Sequence, residues 1–343
     1  MMWRPAEDRY DRMSYRQCGN SGLSVSALSL GLWHNFGPDI PFDIKQAVCR
    51  QAVDMGITHY DLNAGAGSSP GSAEEIFGEI LRTDFRDIRD ELVISVKAGF
   101  GASSNNHAVR SSRKHLVASC DRSLRRMGLD YVDIFYTHLR DSKTPLDETM
   151  SALDHIVRSG RALYVGLSAY DTKSTREAVD ILKELGTPCL VYQPRHVSGD
   201  RWMDDRELMT TLDENGIGSI VFSPLAQGLL TSRNLSRALQ DGSVSAMPPN
   251  AASFQDSLLN NVRRLNGIAA GKGQSLAQLV LAWILWGGKM TSTLIGATRP
   301  EQVVDCVMAM KHVDFSIEEL TQIDWFSREV NVRLSAVAAQ RRN

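Results

Sequence analysis

The chain has 343 residues, 43% of them hydrophobic and 23% charged, which is ordinary globular composition with length for a large core. Its formal charge of −2 gives no electrostatic footprint for nucleic acid or for an anionic membrane surface. The five cysteines, Cys18, Cys49, Cys120, Cys189 and Cys306, are scattered and lack any C-x-x-C or zinc spacing. They show no disulfide framework or zinc spacing, and they predict free, mostly buried thiols in a reducing compartment.

The polar start MMWRPAEDRYDRM lacks the apolar stretch of a signal peptide, and no apolar run reaches membrane-span length. A cytoplasmic protein is expected. The stretch MSYRQCGNSGLSVSAL then predicts a polar β-hairpin turning at Gly19–Gly22.

Eight short, mostly β-branched or aromatic runs follow, each bounded by Gly, Pro, Asp or Asn. They are Ala27–Gly31, Ile57–Asp61, Leu92–Lys97, Tyr131–His138, Ala162–Ser168, Cys189–Gln193, Ser219–Ser223 and Ser292–Gly296. The segments between them have helical spacing. In SAEEIFGEILR, Ser72 and Glu75 suit a capping box, and Ile76, Phe77, Ile80 and Leu81 share a face. In RKHLVASCDRSLRRMGL, Leu116, Cys120, Leu124 and Met127 share a face and Gly128 marks the stop. The basic clusters at Arg125–Met127 and Arg263–Arg264 read as solvated helix faces.

Apolar strands alternating with amphipathic helices imply a parallel sheet covered by helices. Eight of them fit an α/β fold of the closed (β/α)8 TIM-barrel type, with the hairpin as preface, as a single domain over residues 1–343. The longest irregular stretch, Ser232–Phe254, is expected to be a functional or mobile loop. No G-x-G-x-x-G fingerprint is present, which argues against a Rossmann dehydrogenase.

Barrel chemistry sits at the C-terminal ends of the strands. Here those ends carry Asp61, Lys97, His138, Ser168, Gln193 and Ser223. A lone charge on an apolar strand is costly without a partner, so Asp61 and Lys97 are expected to pair. From the residues alone, a plain rim salt bridge and a reaction centre are both open.

Seven motifs carry a resemblance: GLSVSALSLGLWHNFG, THYDLNAGAG, SVKAG, LRRMGLDYVDIFYTH, YVGLSAY, FSPLAQGLLT and LIGATRPEQV. In order and spacing, from about Tyr15 to about Asp324, the chain resembles the aldo-keto reductase superfamily. It is most similar to the group holding the bacterial L-glyceraldehyde 3-phosphate reductases and the potassium-channel β-subunits. The resemblance implies carbonyl reduction by NADPH through an Asp–Tyr–Lys–His tetrad and relatives that commonly form homo-oligomers.

Asp61, Lys97 and His138 match three members of the tetrad; the position of the proton-donating tyrosine, five residues after Asp61, is Ala66. General acid catalysis contributes about 10²–10⁴-fold, so ordinary carbonyl reduction should be impaired. Tyr60 faces away from Asp61 on the strand and is expected to be a packing residue. A second departure is His196, where the resemblance implies a tyrosine stacked on nicotinamide; an imidazole can stack and can carry a proton.

The resemblance also implies the cofactor contacts. Ser168 and Gln193 would hold the carboxamide, and Trp33 is a further candidate for cofactor binding or for the pocket wall. The stretch Ser223, Pro224, Leu225, Gln227, Gly228 and Arg233 would cross the pyrophosphate. Gly296, Thr298, Arg299, Gln302 and Asp305 would grip the adenosine end, with Arg299 on the 2′-phosphate and so NADP over NAD. Cys306 stands where an asparagine is expected.

His34, Ala66 and Trp202 are candidate walls of a pocket for a bulkier small-molecule substrate. The expected reaction is hydride transfer to an imine, iminium or other activated group. Two alternatives remain on the same scaffold: a non-redox dehydratase or isomerase, and a cofactor-binding regulatory subunit of the channel β type.

Overall fold

Eight parallel strands, each paired with the next along the chain and the last with the first, close into a barrel. The computed structural model describes residues 3–63, 69–98, 111–194, 206–225, 228, 230–231 and 252–327, with only the backbone described at 34 and 252–258. The barrel strands are β3 (Leu28–Leu32), β4 (His59–Asn63), β5 (Val93–Lys97), β6 (Val132–His138), β7 (Ala162–Ser168), β8 (Cys189–Gln193), β9 (Gly218–Val221) and β10 (Ser292–Ile295). The helices are α1 (Phe42–Asp54), α2 (Ser72–Ile80), α3 (Arg113–Met127), α4 (Leu146–Arg158), α5 (Thr172–Glu184), α6 (Arg206–Glu214), α7 (Ala252–Gly271), α8 (Leu276–Leu285) and α9 (Pro300–Val307). This is the (β/α)8 barrel that the alternation of runs predicts.

The strands are buried on both faces, so their side chains split by a period of two. The outward set meets the helices. Tyr60 stacks on Phe77 of α2 at 5.1 Å between ring centroids, and its hydroxyl donates to the Cys49 carbonyl at 3.0 Å. Tyr60 is therefore the packing residue the alternation implies. The inward set fills the barrel. Ile134, Tyr136, Val191, Ile220 and Leu294 form an apolar part of it. Ser29, His59, Asp61, Ser95, Lys97 and Ser292 are also buried and supply a polar part.

Strands β1 (Tyr15–Gln17) and β2 (Ser24–Ser26) pair antiparallel, as expected of the hairpin. Its residues Cys18 and Val25 join the inner apolar cluster with Val93, Ile134 and Ile220, so the hairpin closes the floor of the barrel. The contact is tight: a Cβ on Gly19, at φ +57°, would stand 1.9 Å from the Gly216 carbonyl oxygen.

Four local expectations are corrected. Strand β4 runs on to Asn63, which pairs with Lys97, so Asp61 lies inside the strand rather than at its end. Strand β9 ends at Val221, and Ser223 stands beyond it with φ 57°. Helix α2 is capped by Gly71 at φ 90° with no side-chain cap, so Ser72 and Glu75 form no capping box. The buried acid of that turn is Glu74, held by Ser123 at 2.6 Å and Arg126 at 2.8 Å. Last, residues 252–254 of the long loop are helical, because α7 begins at Ala252; residues 232–251 lie outside the described residues.

Helix α3 buries Leu116, Cys120, Leu124 and Met127 and stops at Gly128, φ 68°, as the sequence predicts. Arg125, Arg263 and Arg264 are exposed, while Arg126 is drawn in by Glu74. All five cysteines are free and buried. Burial pushes the thiols of Cys18, Cys120, Cys189 and Cys306 up to about 12, too high for a nucleophile at neutral pH. Among the described residues no single helix is long and apolar enough to cross a membrane.

Candidate active site

Two inward positions of adjacent strands set the centre. Asp61 of β4 and Lys97 of β5 form an ion pair with 6% and 7% of their side chains exposed. Burying either charge alone would cost several kcal/mol, so each depends on the other. The carboxylate also accepts from the Ser95 hydroxyl at 2.5 Å and from the Gln193 amide at 3.4 Å. The ammonium lies 5.4 Å from the centroid of the Tyr136 ring, where the negative face of the ring favours a cation.

His138 is the last residue of β6 and pairs in register with Ser168, the last of β7. It is half-buried. Ser168 in turn pairs with Gln193, the last of β8. The alternation thus aligns His138, Ser168 and Gln193 along the mouth, with Lys97 on the next strand over.

The chain leaves this rim through a repeated left-handed step. Leu139 (φ 61°), Ala169 (φ 57°) and Ser223 (φ 57°) are the three non-glycine residues of positive φ among those described. Leu139 donates its N–H to the Ser168 carbonyl at 3.0 Å, and Ala169 donates to the Gln193 carbonyl at 3.2 Å. Each such residue costs of order 1–3 kcal/mol, and such strain gathers at ligand sites.

Two buried polar atoms at the rim have no partner among the described residues: the Ser168 hydroxyl oxygen and the Gln193 side-chain oxygen. A buried polar group without a partner costs about 1–3 kcal/mol. One group can donate and accept, and the other can only accept. Together they complement a primary carboxamide.

The segment after β9 makes a tight turn. Pro224 is buried and Leu225 half-buried; Gly228 at φ 90° donates to the Leu225 carbonyl at 2.9 Å. Trp33, past the end of β3, meets Phe222 edge-on at 6.3 Å. Asn35 donates to the Ala297 carbonyl and ties the loop after β3 to the loop after β10.

Beyond β10, Gly296, Thr298 and Arg299 are exposed at the N-terminus of α9, with Arg299 in the N-cap position. The Gln302 side-chain oxygen accepts from the Thr298 N–H at 2.7 Å, the Thr298 hydroxyl at 3.1 Å and the Arg299 N–H at 3.2 Å. The donors of Thr298 are therefore engaged by Gln302. Asp305 is engaged as well, accepting from Gln278 at 2.6 Å and Ser275 at 3.4 Å at the start of α8.

The structure thus brings Asp61, Lys97, His138, Ser168 and Gln193 to one end of the barrel. Ala66, His196, Trp202, Gln227 and Arg233 lie outside the described residues, as does the side chain of His34. Sequence reasoning missed Ser95, His59 and Asn35. The first two were open to view in the alternation, since His59 and Asp61, and Ser95 and Lys97, are spaced by two. Among the described residues no group of three His, Cys, Asp or Glu side chains is placed to hold a metal ion.

Comparison with known proteins agrees with this geometry. The chain is 48% identical over 331 residues to an L-glyceraldehyde 3-phosphate reductase of Escherichia coli K12, covering 94% of this chain and 95% of the relative. It is 34% identical over 305 residues to a probable voltage-gated potassium channel subunit beta of Arabidopsis thaliana, covering 87% and 91%. A putative subunit of the same kind from Schizosaccharomyces pombe is 31% identical over 321 residues, covering 90% and 92%. The model of the aldo/keto reductase family matches residues 27–328. An eight-stranded barrel, a buried lysine–aspartate pair at its mouth and these likenesses together make the chain a member of the aldo/keto reductase family.

Proposed function

We propose that the protein is an NADPH-dependent reductase whose natural substrate is an imine, an iminium or another activated group rather than a simple aldehyde. The observation that carries this reading is the unpartnered Ser168 hydroxyl and Gln193 oxygen beside the Asp61–Lys97 pair, in a chain with alanine at position 66. Those two atoms suit the nicotinamide carboxamide. NADPH, when bound, supplies the hydride.

The chain's own residues do the rest. Ser168 and Gln193 would hold the carboxamide, and Ser223, Pro224, Leu225 and Gly228, with Gln227 and Arg233 by the resemblance, would hold the pyrophosphate. Arg299 is exposed and would hold the 2′-phosphate through charge-assisted hydrogen bonds. Lys97, fixed by Asp61, places a positive charge where electron density builds up. With Ala66 no phenol delivers a proton. An iminium needs none in that step, because it already carries the charge that hydride neutralises. An enone, or a carbonyl protonated by His138 or His196, is the next class. Alanine in place of a tyrosine at position 66 would leave room for a substrate larger than a triose phosphate, with His34 and Trp202 as candidate walls.

Burial of all five thiols supports a reducing, cytoplasmic setting. The test is spectrophotometric: NADPH oxidation is followed with a panel of cyclic imines and a panel of aldehydes. Faster oxidation with imines supports the proposal. Aldehydes turned over faster than imines would overturn the substrate class. Conversion of a substrate without net NADPH oxidation would favour a dehydratase or isomerase.

A further inference from the structure

Below the Asp61–Lys97 pair, a row of buried side chains crosses four neighbouring strands. The Ser95 hydroxyl donates to Asp61 Oδ1 at 2.5 Å. His59 Nε2 stands 2.9 Å from the Ser95 oxygen, and His59 Nδ1 stands 2.8 Å from the Ser29 oxygen. Ser29 and Ser292 oxygens are 2.5 Å apart, and Ser292 also reaches the Ala27 carbonyl at 3.2 Å. Ser29, His59, Ser95 and Ser292 are all 0% exposed.

The direction of this row is fixed from one end. An ionised carboxylate can only accept, so the single Ser95 proton goes to Asp61. Ser95 must then accept from His59, which makes Nε2 the protonated nitrogen. His59 Nδ1 must accept from Ser29, and Ser29 from Ser292. Burial pushes the His59 imidazole down to about 4, so the ring is neutral and its two nitrogens have opposite roles. In this direction Ser292 spends its one proton on Ser29 and only approaches the Ala27 carbonyl at 3.2 Å, so the row begins at Ser292 with no proton source behind it. It is a brace and not a delivery path.

The geometry points to His59 as a positioning residue for the Asp61–Lys97 pair, acting through Ser95. The carboxylate sets the direction of each hydrogen bond in the row, and the row holds the carboxylate against the ammonium. The inference needs no knowledge of the substrate and stands or falls apart from the proposed reaction.

Nitrogen-15 NMR of the full chain tests it. The wild-type His59 signals should be those of the neutral Nε2–H tautomer. In Ser95→Ala the tautomer should reverse to Nδ1–H, because a buried N–H without an acceptor is unfavourable and Ser29 can then donate to Ser292 while Ser292 donates to Ala27. The Lys97 ammonium signal is the second readout. It should be sharp in the wild type, lost in His59→Phe, and regained in His59→Gln, whose amide can still donate to Ser95. If His59→Phe does not fold, Ser95→Val serves in the same measurement and should also lose the signal. A wild-type Nδ1–H tautomer, an unchanged tautomer in Ser95→Ala, or a Lys97 signal indifferent to both substitutions would overturn the inference.

Discussion

Lys97 and Asp61 meet inside the barrel although neither is the other's strand partner: Asp61 stands opposite Ser95, and Lys97 opposite Asn63. The offset lets Ser95 and Lys97 share one carboxylate, each on its own oxygen.

Asp61→Asn strands a buried ammonium. The loss should be about 3–5 kcal/mol of unfolding free energy, read by urea titration. Adding Lys97→Met should return a good part of it, since the uncompensated charge goes too. A double variant as unstable as the sum of the single ones would show that the two residues do not depend on each other.

Acid should weaken the fold through His59. Its folded pKa lies at about 4, against an ordinary 6.5, with burial the largest cause. The unfolded chain therefore binds a proton that the folded one refuses, and stability falls as pH drops from about 6.5 to about 4. The contribution is on the order of 3 kcal/mol at full extent. His59→Gln should flatten this part of the curve of stability against pH, measured by denaturation across that range. A slope unchanged by the substitution would assign the acid sensitivity elsewhere.

Gly166→Ala should disturb the inner wall. A Cβ there would stand 2.4 Å from Tyr136 Cε1 and 2.9 Å from Val191 Cγ1. Overpacking of this kind costs about 1–3 kcal/mol, and Tyr136→Leu in the same chain should recover part of it. Thermal melts of the single and the double variant decide the matter.

Ala66→Tyr places a phenol at the position that the resemblance assigns to the proton donor. Aldehyde reduction should rise by about 10²–10⁴-fold in kcat/KM, and the native reaction should weaken. No gain on aldehydes would mean that more than this one position separates the chain from aldehyde chemistry.

Arg299→Ala should lower affinity for NADPH by about tenfold to a hundredfold and leave NADH nearly unchanged, because only the former carries the 2′-phosphate. Fluorescence titration of both cofactors reads the difference. Equal losses for the two would remove Arg299 from the 2′-phosphate.

Most of the barrel was legible because its strands are buried on both faces and appear as short apolar runs. The limits of Ala162–Ser168 and Cys189–Gln193 came out as predicted. Elsewhere tertiary pairing decided. Leu62 and Asn63 look like the start of a loop, yet Val96 and Lys97 across the way draw them into the ladder. Gly71 outdid Ser72 as a cap because the turn there needs positive φ, with the Arg126 guanidinium lying where a Cβ would stand. Ser95 and His59 went unnoticed because a serine or histidine on a strand is usually a local matter; only their alignment across strands gives them a shared partner. Asp305 illustrates the reverse. A motif put it at the adenosine end, while local hydrogen bonds turn it toward Gln278 and Ser275.

The hairpin of β1 and β2 makes the barrel a flask with a stopper. Cys18 and Val25 seat in its base, with the Gly19 backbone against Gly216. Water that trades hydrogens with the buried serines and His59 must therefore come from above, past Lys97. A molecule resting at the neck would shut that route, so deuterium uptake by the inner hydroxyls and imidazole should slow when the neck is filled.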